Sequence, residues 1–259
     1  MLKRDATWEK LVEYGVVQGE MPSGNWDLRG VDLHEKDLSE ADLRGSDMRE
    51  ADMRKVVMIV PNLTGANLWK AKLSGAMMSG GLMVSADFSE ADLSGSNMND
   101  AFLSYANLSG SNLNEASLNG AHVIAANLSG ADLSGSQCVN TELAGANLSG
   151  SSLRGVNLTR ADLNLANLSG ADLSGTNLTD ANFSSTNLEG ANLSSADFKG
   201  ASLEGADMKD AVLQGSDLSG AHDITFEQLA SVKTLFETKL APDLLDRLQK
   251  EHPHLFRKI

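Results

Sequence analysis

A five-residue period runs through this chain from Trp26 to Gly220 without an insertion or deletion. Ala126-Asn-Leu-Ser-Gly130 is a representative unit. Its middle residue, called the centre below, is apolar in all 39 units, from Leu28 to Leu218. Two residues before the centre, 35 of the 39 positions hold Ala, Ser, Thr or Val. A period of five matches neither one face of an α-helix nor a plain alternating strand, so a helical solenoid is excluded.

Within one unit, the centre and the residue two before it lie on the same side of an extended chain, because alternate side chains of a strand share a face. We therefore expect both to point inward and their neighbours to point outward. Of the 24 glycines, 20 occupy the fifth position of a unit, as Gly130 does. Glycine adopts the positive φ of a type II turn without a steric penalty, so each unit should be a short extended side followed by a corner. Four corners close one coil, and coils stack at about 4.8 Å.

The unit Ala-Asp/Asn-Leu-Ser/Thr/Arg-Gly resembles the consensus of the pentapeptide-repeat proteins over about three quarters of the chain. The resemblance implies an all-β solenoid, a right-handed quadrilateral β-helix, and that hand agrees with the general preference of parallel crossovers. With 20 residues in each coil, the 39 units would make about ten coils. Such a rod is about 45 Å long at the β-sheet spacing. The family's functions are diverse, so the fold is a poor guide to function.

The repeat divides the chain into three segments, 1–25, 26–220 and 221–259. The first contains a pattern typical of a short amphipathic helix from about Thr7 to Val17. Because the open end of a β-helix exposes unpaired backbone and core, we expect this helix to cap it. Trp26 and Lys36 support this interpretation, since neither would fit at an inward small position in the middle of the stack.

After the repeat, the pattern becomes helical. Thr225 is placed as an N-cap, with Gln228 completing a capping box, for a helix from about Phe226 to Thr238. Pro242 should open a second helix at its first turn, and His252-Pro253 should end it. We expect the two helices to form a C-terminal cap. Two helices exceed what the end of one coil needs, and they loosely resemble the dimer contact of quinolone-resistance relatives, so dimerisation in addition to capping stays open.

Composition limits the classes of partner and location. The net charge of −14 argues against direct binding of nucleic acid, whose phosphates attract Lys and Arg. No apolar run follows Met1 and no stretch is long enough to span a membrane, so we expect a cytoplasmic protein without membrane contact. The single cysteine, Cys138, occupies an inward centre, which predicts a buried, unreactive thiol and no disulfide.

Charge is distributed unevenly along the repeat. Outward positions from Asp27 to Lys72 carry many residues of both signs, which is typical of a solvated face. From Leu73 to Leu153 the chain has no Lys or Arg, and seven Asp and Glu residues give these 81 residues a net charge of −7. The middle of the rod should therefore be acidic.

Large apolar residues occupy outward positions on one side of the rod, where other coils mostly have Ser, Asn, Asp or Gly. Residues 20 apart should stack directly, so these positions should form one exposed cluster, which usually marks an interface. We call it the candidate patch, and its residues are Met77, Leu82, Val84, Phe102, Tyr105, His122, Ile124 and Leu165. Two alternatives stay open: the N-terminal segment folds back over the patch, or the patch is a tolerated surface without a partner.

The sequence contains no pattern typical of catalysis or metal binding. The five histidines are scattered, with no Cys or acidic set at metal-ligand spacing. No Gly-x-Ser-x-Gly stands between a strand and a helix, and the glycine-rich units lack the Lys-Ser/Thr of a phosphate loop. A coil interior filled by the centres would leave no room for a cofactor. We therefore expect no enzyme, no metal and no cofactor.

Two classes of function remain. The first is a non-enzymatic protein–protein interaction rod that binds an unidentified protein partner or itself through its apolar and acidic face. A homodimer would form through the C-terminal helices or the apolar face. The second, implied by the resemblance, is a DNA mimic that inhibits or protects a type II topoisomerase such as gyrase. The Arg and Lys residues of the first coils and the apolar side of the rod weigh against DNA mimicry. A gyrase supercoiling assay separates the two classes.

Overall fold

The computed structural model describes residues 25–39 and 41–258. The helix predicted from Thr7 to Val17, and with it the N-terminal cap, lies outside the described residues. The remainder consists of a long stack of coils followed by two α-helices and a 3-10 helix.

Parallel pairing between residues 20 apart builds the stack, from Asp27 with Asp47 to Ser202 with His222. Each side of a coil pairs through a single residue, the one that precedes the centre, so the strands are no longer than one bridge. Around Leu128, the backbone N–H donates to the Asn147 carbonyl at 2.7 Å. Four sides therefore make one coil of 20 residues, and the repeat is a quadrilateral β-helix.

The four sides define four faces of the rod, numbered here by their first centres. Face 1 begins with Leu28, face 2 with Leu33, face 3 with Leu38 and face 4 with Leu43, and each continues at steps of 20 residues. Faces 1 and 3 are opposite, as are faces 2 and 4.

The corners have the geometry expected of type II turns. The N–H of Ala131 donates to the carbonyl of Leu128 at 3.0 Å, closing a four-residue turn around Gly130, whose φ is 65°. Every described fifth-position residue from Gly30 to Gly215 has a φ between 53° and 71°. Only glycine adopts this region without strain, which explains why the fifth position favours it.

The interior is a continuous column of stacked apolar side chains. Leu128 and Ala126, the two inward residues of one unit, are buried, as are the equivalent residues of the coils above and below. Phe183 and Phe198 pack with their ring centroids 6.0 Å apart. Cys138 is buried at its centre, and burial raises the pKa of its thiol to about 11, so the thiol is protonated and unreactive at neutral pH.

Outside the core, asparagine side chains on face 1 form a hydrogen-bonded ladder along the rod. Asn127 Nδ2 donates to Asn107 Oδ1 at 3.2 Å, and Asn147 Nδ2 donates to Asn127 Oδ1 at 3.2 Å. Asn167 continues the ladder at 3.3 Å. The same Oδ1 atoms accept the backbone N–H two residues later, as Asn127 does from Ser129 at 3.2 Å. Faces 1 and 2 are therefore built largely of Asn and Asp that bind their own coil and the next.

At the C-terminus, the prediction of one helix from Phe226 to Thr238 is wrong. Helix α1 spans only Phe226–Ala230, and the chain then returns to the stack. Thr234 pairs with Val212 and Lys239 with Asp217, now 22 residues apart because the short helix lengthens this coil.

Two further centres explain this return. Leu235 and Leu240 are buried and five residues apart, and the N–H of Thr238 closes a turn on the carbonyl of Leu235 at 3.1 Å. Glu237 occupies the corner with a φ of 60°. The repeat thus extends past Gly220, and its pairing occupies backbone groups that a helix would have left exposed at the edge of the last coil.

The C-terminal residues cover this final coil. The predicted capping box is present, with Thr225 and Gln228 bonded reciprocally at the start of α1. Helix α2 spans Pro242–Glu251, as the proline predicts, and a 3-10 helix follows at Pro253–Phe256. The carbonyl of Leu255 accepts the N–H of Leu235 at 2.7 Å, so the tail binds the backbone of the stack directly.

Candidate interaction surface

Large exposed apolar side chains of the described residues occur only on faces 3 and 4 and at the corners that follow them. They are Ile59, Val60, Met77, Leu82, Phe102, Tyr105, Ile124 and Leu165. Faces 1 and 2 of the same coils present mostly Asn, Asp, Ser, Glu and Lys, and the large apolar side chain among their described residues, Trp69 on face 1, is half-buried. The rod is therefore amphipathic around its circumference, with two adjacent faces partly apolar and two polar.

The centre of this surface is a vertical ladder on face 4. Leu82 pairs with Phe102, Phe102 with His122, and His122 with Glu142, one coil apart at each step. The rings of Phe102 and His122 stack with centroids 4.7 Å apart and planes 8° from parallel. His122 Nδ1 lies 2.7 Å from Glu142 Oε2. These contacts fix the orientation of the aromatic rings, although Phe102 remains 41% exposed.

Apolar side chains of the preceding coil extend the surface onto face 3. Val57 pairs with Met77, so the two stack, and Ile59 and Val60 follow at the corner between faces 3 and 4. A Cβ added to Gly80, one coil on, would lie 3.6 Å from Val60 Cγ2, which places Val60 directly over that corner.

Three corners of these two faces carry bulky apolar residues where glycine is the conformationally favoured choice. Val60, Tyr105 and Leu165 have φ values of 53°, 62° and 59°. Positive φ costs a non-glycine residue about 1–2 kcal/mol, and a β-branched residue such as Val60 is an outlier there. Tyr105 and Leu165 are 66% and 65% exposed, so burial within the rod offsets little of this cost.

The candidate patch maps onto the structure with three differences. Val84 and His122 lie on face 4 but are half-buried. Leu165 lies on the same corner as Tyr105 but three coils further on, about 14 Å away at the β-sheet spacing, with Ala125 and Gly145 between them. We use the name apolar stripe for the contiguous set, which excludes Leu165. The stripe consists of Val57, Ile59, Val60, Met77, Leu82, Val84, Phe102, Tyr105, His122 and Ile124.

Proline and glycine at positions 61 and 81 are a feature that sequence reasoning missed. A Cβ on Gly81 would lie 3.0 Å from both Pro61 Cδ and Pro61 Cγ, tighter than ordinary van der Waals contact, and 2.6 Å from Met83 Cε, which would have to move. Gly81 therefore accommodates the Pro61 ring where other units have Ala or Ser. The signal in the sequence was that both residues break the rule for the inward small position.

Arginines of the first coils are paired with an aspartate two residues earlier on the same side. Arg44 Nη2 lies 2.5 Å from Asp42 Oδ2, and Arg49 Nη2 lies 2.7 Å from Asp47 Oδ2. Hydrogen bonds from these arginines hold the pKa of both aspartates below the usual range. Exposed pairs of this kind stabilise the fold little, but they neutralise the surface of the first coils.

A shallow cavity of about 320 Å³ lies on face 1, beside Trp69. Its walls include Arg29 and Arg49, whose guanidinium groups already bind Asp27 and Asp47. The described residues contain no cluster of His, Cys, Asp and Glu that could hold a metal ion. Within the same part of the chain, no helix has the length and apolar character needed to cross a bilayer.

The family model for pentapeptide repeats matches eight copies of its motif at residues 27–58, 86–123, 126–164, 161–200 and 191–222. The chain belongs to the pentapeptide repeat family. The match confirms the family resemblance drawn from the Ala-Asp/Asn-Leu-x-Gly unit. Within the repeat, the model leaves residues 26, 59–85 and 124–125 unmatched. Six of the ten residues of the apolar stripe lie in these stretches, whereas Val57, Phe102, Tyr105 and His122 lie in matched segments.

Two solved structures resemble this pentapeptide repeat protein over most of its length. HetL from the cyanobacterium Nostoc sp. strain PCC 7120, described as involved in heterocyst differentiation regulation, is 29% identical with a TM-score of 0.54. The match covers 80% of this chain and 97% of HetL. QnrB1, a plasmid-mediated fluoroquinolone resistance protein, is 22% identical with a TM-score of 0.50, covering 75% and 97%. The QnrB1 likeness shows the fold alone. No curated protein matches the chain.

Proposed function

We propose that this chain is a non-enzymatic interaction rod that binds another protein, or a second copy of itself, through the apolar stripe on faces 3 and 4. The observation that carries the proposal is the placement of the exposed apolar side chains. All of them lie on two adjacent faces, and faces 1 and 2 of the same coils have none among the described residues. A random tolerance of surface substitutions would scatter them over all four faces.

The energetic argument points in the same direction. Each large apolar side chain left in water forgoes roughly 1.5–3 kcal/mol of burial. Val60 and Tyr105 add backbone strain, because both occupy left-handed corners. Leu82, Phe102 and Ile124 recover part of the first cost, because more than half of each is buried against the rod, but their exposed part and the strain at Val60 and Tyr105 remain. Such remaining costs are expected of residues that are buried in a complex.

Likeness to HetL supports a regulatory binding role in general terms, since that protein is described as involved in regulation of differentiation. DNA mimicry is the weaker candidate. Its support is the net charge of −14, but a duplex presents phosphates rather than an apolar stripe to its partner. Inhibition or protection of gyrase in a supercoiling assay, retained when the stripe is removed, would favour mimicry over the proposed interaction rod.

Removing two exposed residues of the stripe tests the proposal. Phe102→Ser with Ile124→Ser removes side chains that point outward, so the protein should fold and melt within a few degrees of the wild type. Asn112→Ala with Ser134→Ala changes the equivalent positions on the opposite face and is the matched control.

Association is then measured in two ways, by sedimentation of the purified chain and by affinity capture from extracts of the source cells. The proposal predicts a captured protein that binds again when purified, retains its affinity for the control variant, and loses it for Phe102→Ser with Ile124→Ser. For a self-complex, the same variant should convert the dimer to a monomer. If every association of the wild type survives in the stripe variant, the apolar stripe is not an interaction surface.

A further inference from the structure

Carboxylates without a Lys or Arg partner border the apolar stripe. Asp100 stands at the corner between faces 3 and 4, two residues before Phe102, and Glu142 ends the ladder of Phe102 and His122. Both are exposed or partly exposed, and among the described residues neither lies within ion-pair distance of a Lys or Arg. From Leu73 to Leu153, the coils of the stripe carry seven carboxylates and no Lys or Arg.

The nearest Lys and Arg residues approach the stripe only at its two ends. Toward the N-terminus, Arg44 on face 4 is held by Asp42, and Lys55, two residues before Val57, lies 3.5 Å from Glu35. Toward the C-terminus, Arg160 occupies the same corner as Asp100 but three coils away, which is about 14 Å at the β-sheet spacing and beyond the screening length of about 8 Å in physiological salt. Arg160 is closer to Glu142, because it lies two residues before Asp162, the residue that pairs with Glu142 in the next coil. From Met77 to Ile124 the stripe therefore belongs to a segment that has carboxylates and no Lys or Arg, whereas at its N-terminal end Lys55 stands two residues before Val57.

We propose, on the basis of the interaction function above, that the occupant of the stripe is a different protein presenting apolar side chains surrounded by Lys and Arg. Opposite charges around an apolar contact steer the partner and fix its orientation, whereas like charges exclude wrong partners. A second copy of this chain would bring two segments of net charge −7 against each other. Nucleic acid would be repelled in the same way.

Residues 1–24 are a weaker candidate for the same surface. They contain Lys3, Arg4 and Lys10 against four acidic residues, so the segment has no excess of positive charge. Asn25, where the described chain begins, pairs with the first coils through the carbonyl of Arg44.

Two synthetic peptides serve as probes of the stripe. Each has about 18 residues, long enough for five helical turns, with Leu on one face and either Lys or Glu on the other. Their affinity for the full chain is measured by fluorescence anisotropy at about 50 mM and about 300 mM NaCl, where screening differs strongly. The Lys peptide should bind the wild type, more weakly at the higher salt concentration, and the Glu peptide should not bind.

Matched charge variants distinguish the effect of the carboxylates beside the stripe from the effect of the overall negative charge of the rod. Asp100→Asn with Glu142→Gln removes two charges beside the stripe, and Asp92→Asn with Asp132→Asn removes two from the opposite face of the same coils. The first pair of substitutions should lower the affinity for the Lys peptide about fivefold to tenfold, and the second pair should lower it less than about twofold. Phe102→Ser with Ile124→Ser should weaken it about 30-fold or more.

Four results would overturn the proposal of a charge-matched partner. Two concern the peptides: the two pairs of charge variants weaken binding of the Lys peptide equally, or the Glu peptide binds as tightly as the Lys peptide. The other two concern the chain itself: the wild type sediments as a dimer that the stripe variant dissociates, or removal of residues 1–24 raises the affinity for the Lys peptide tenfold or more. If the charge pair beside the stripe has no effect while Phe102→Ser with Ile124→Ser abolishes binding, the proposed function stands and this inference fails. If the stripe variant binds the Lys peptide as the wild type does, the proposed function fails as well.

Discussion

Replacement of Asn127 by Ala tests how much the asparagine ladder adds to the stacking of coils. The side chain donates to Asn107 and accepts from Asn147 and from the Ser129 backbone, each at 3.2 Å. A net gain of about 0.5–1.5 kcal/mol for each hydrogen bond gives a cost of about 2–3 kcal/mol for the half-buried site. An outward position alone would predict a nearly silent substitution, so the ladder changes the expectation.

Asn177→Ala is the matched control. Asn177 is exposed and accepts only from Thr179 of its own side, through the backbone N–H at 3.0 Å and the hydroxyl at 2.7 Å. Its loss should cost about 1 kcal/mol or less, because the groups it leaves reach water. Guanidinium unfolding followed by circular dichroism should show a larger fall in midpoint for Asn127→Ala. Equal shifts for the two variants would refute a stabilising ladder between coils.

Three further predictions concern the core and the C-terminal end. Leu128→Asp should cost about 4 kcal/mol or more, since it buries an unpaired charge in the column of centres, and a melting shift no larger than that of Asn177→Ala would contradict the inward assignment. Deleting residues 225–259 should expose the last coil and cause aggregation in light scattering, whereas a soluble, equally stable truncation would show that these residues are not a cap. Hydrogen bonds from Ser219 and Lys239 lower the pKa of Asp217 to about 2, so its stabilising contribution is present above about pH 4 and lost as the pH falls toward 2. Asp217→Asn should therefore reduce the fall in the free energy of unfolding between about pH 4 and pH 2. An unchanged dependence on pH would argue against a contribution of ionised Asp217 to stability.

The fold was predictable from the sequence because each requirement of a coil appears as a residue type at a fixed position. Leu128 marks an inward centre, Ala126 the small neighbour, and Gly130 the left-handed corner. The right hand of the helix stays a prediction of the family resemblance and of the general preference of parallel crossovers.

The C-terminal end was less predictable because two patterns compete there. Thr225 and Gln228 are a strong helix start, and they do begin α1. Only Leu235 and Leu240, five residues apart, indicate that the chain resumes stacking, and two units are too few to establish a period. Pairing with the edge of the previous coil decides the outcome, and such a contact cannot be deduced from local pattern.

The candidate surface was predictable in its position but not in its contacts. The period of 20 brings Phe102 and His122 onto one face from sequence alone, since coils stack without insertion. Stacking of their rings at 4.7 Å and the bond to Glu142 depend on side-chain rotamers. Leu165 shows the limit of the approach: it occupies the same corner of the rod as Tyr105, but three coils away, so the two residues are not in contact.

Photo-crosslinking around one coil tests the central claim most directly. A photoreactive phenylalanine analogue is placed in turn at position 102 on face 4, 107 on face 1 and 112 on face 2, all outward residues that precede a centre. The account predicts that irradiation with the partner gives a covalent adduct from position 102 and none above background from 107 or 112. Adducts of equal yield from all three positions, or from 112 alone, would contradict an interaction surface on faces 3 and 4.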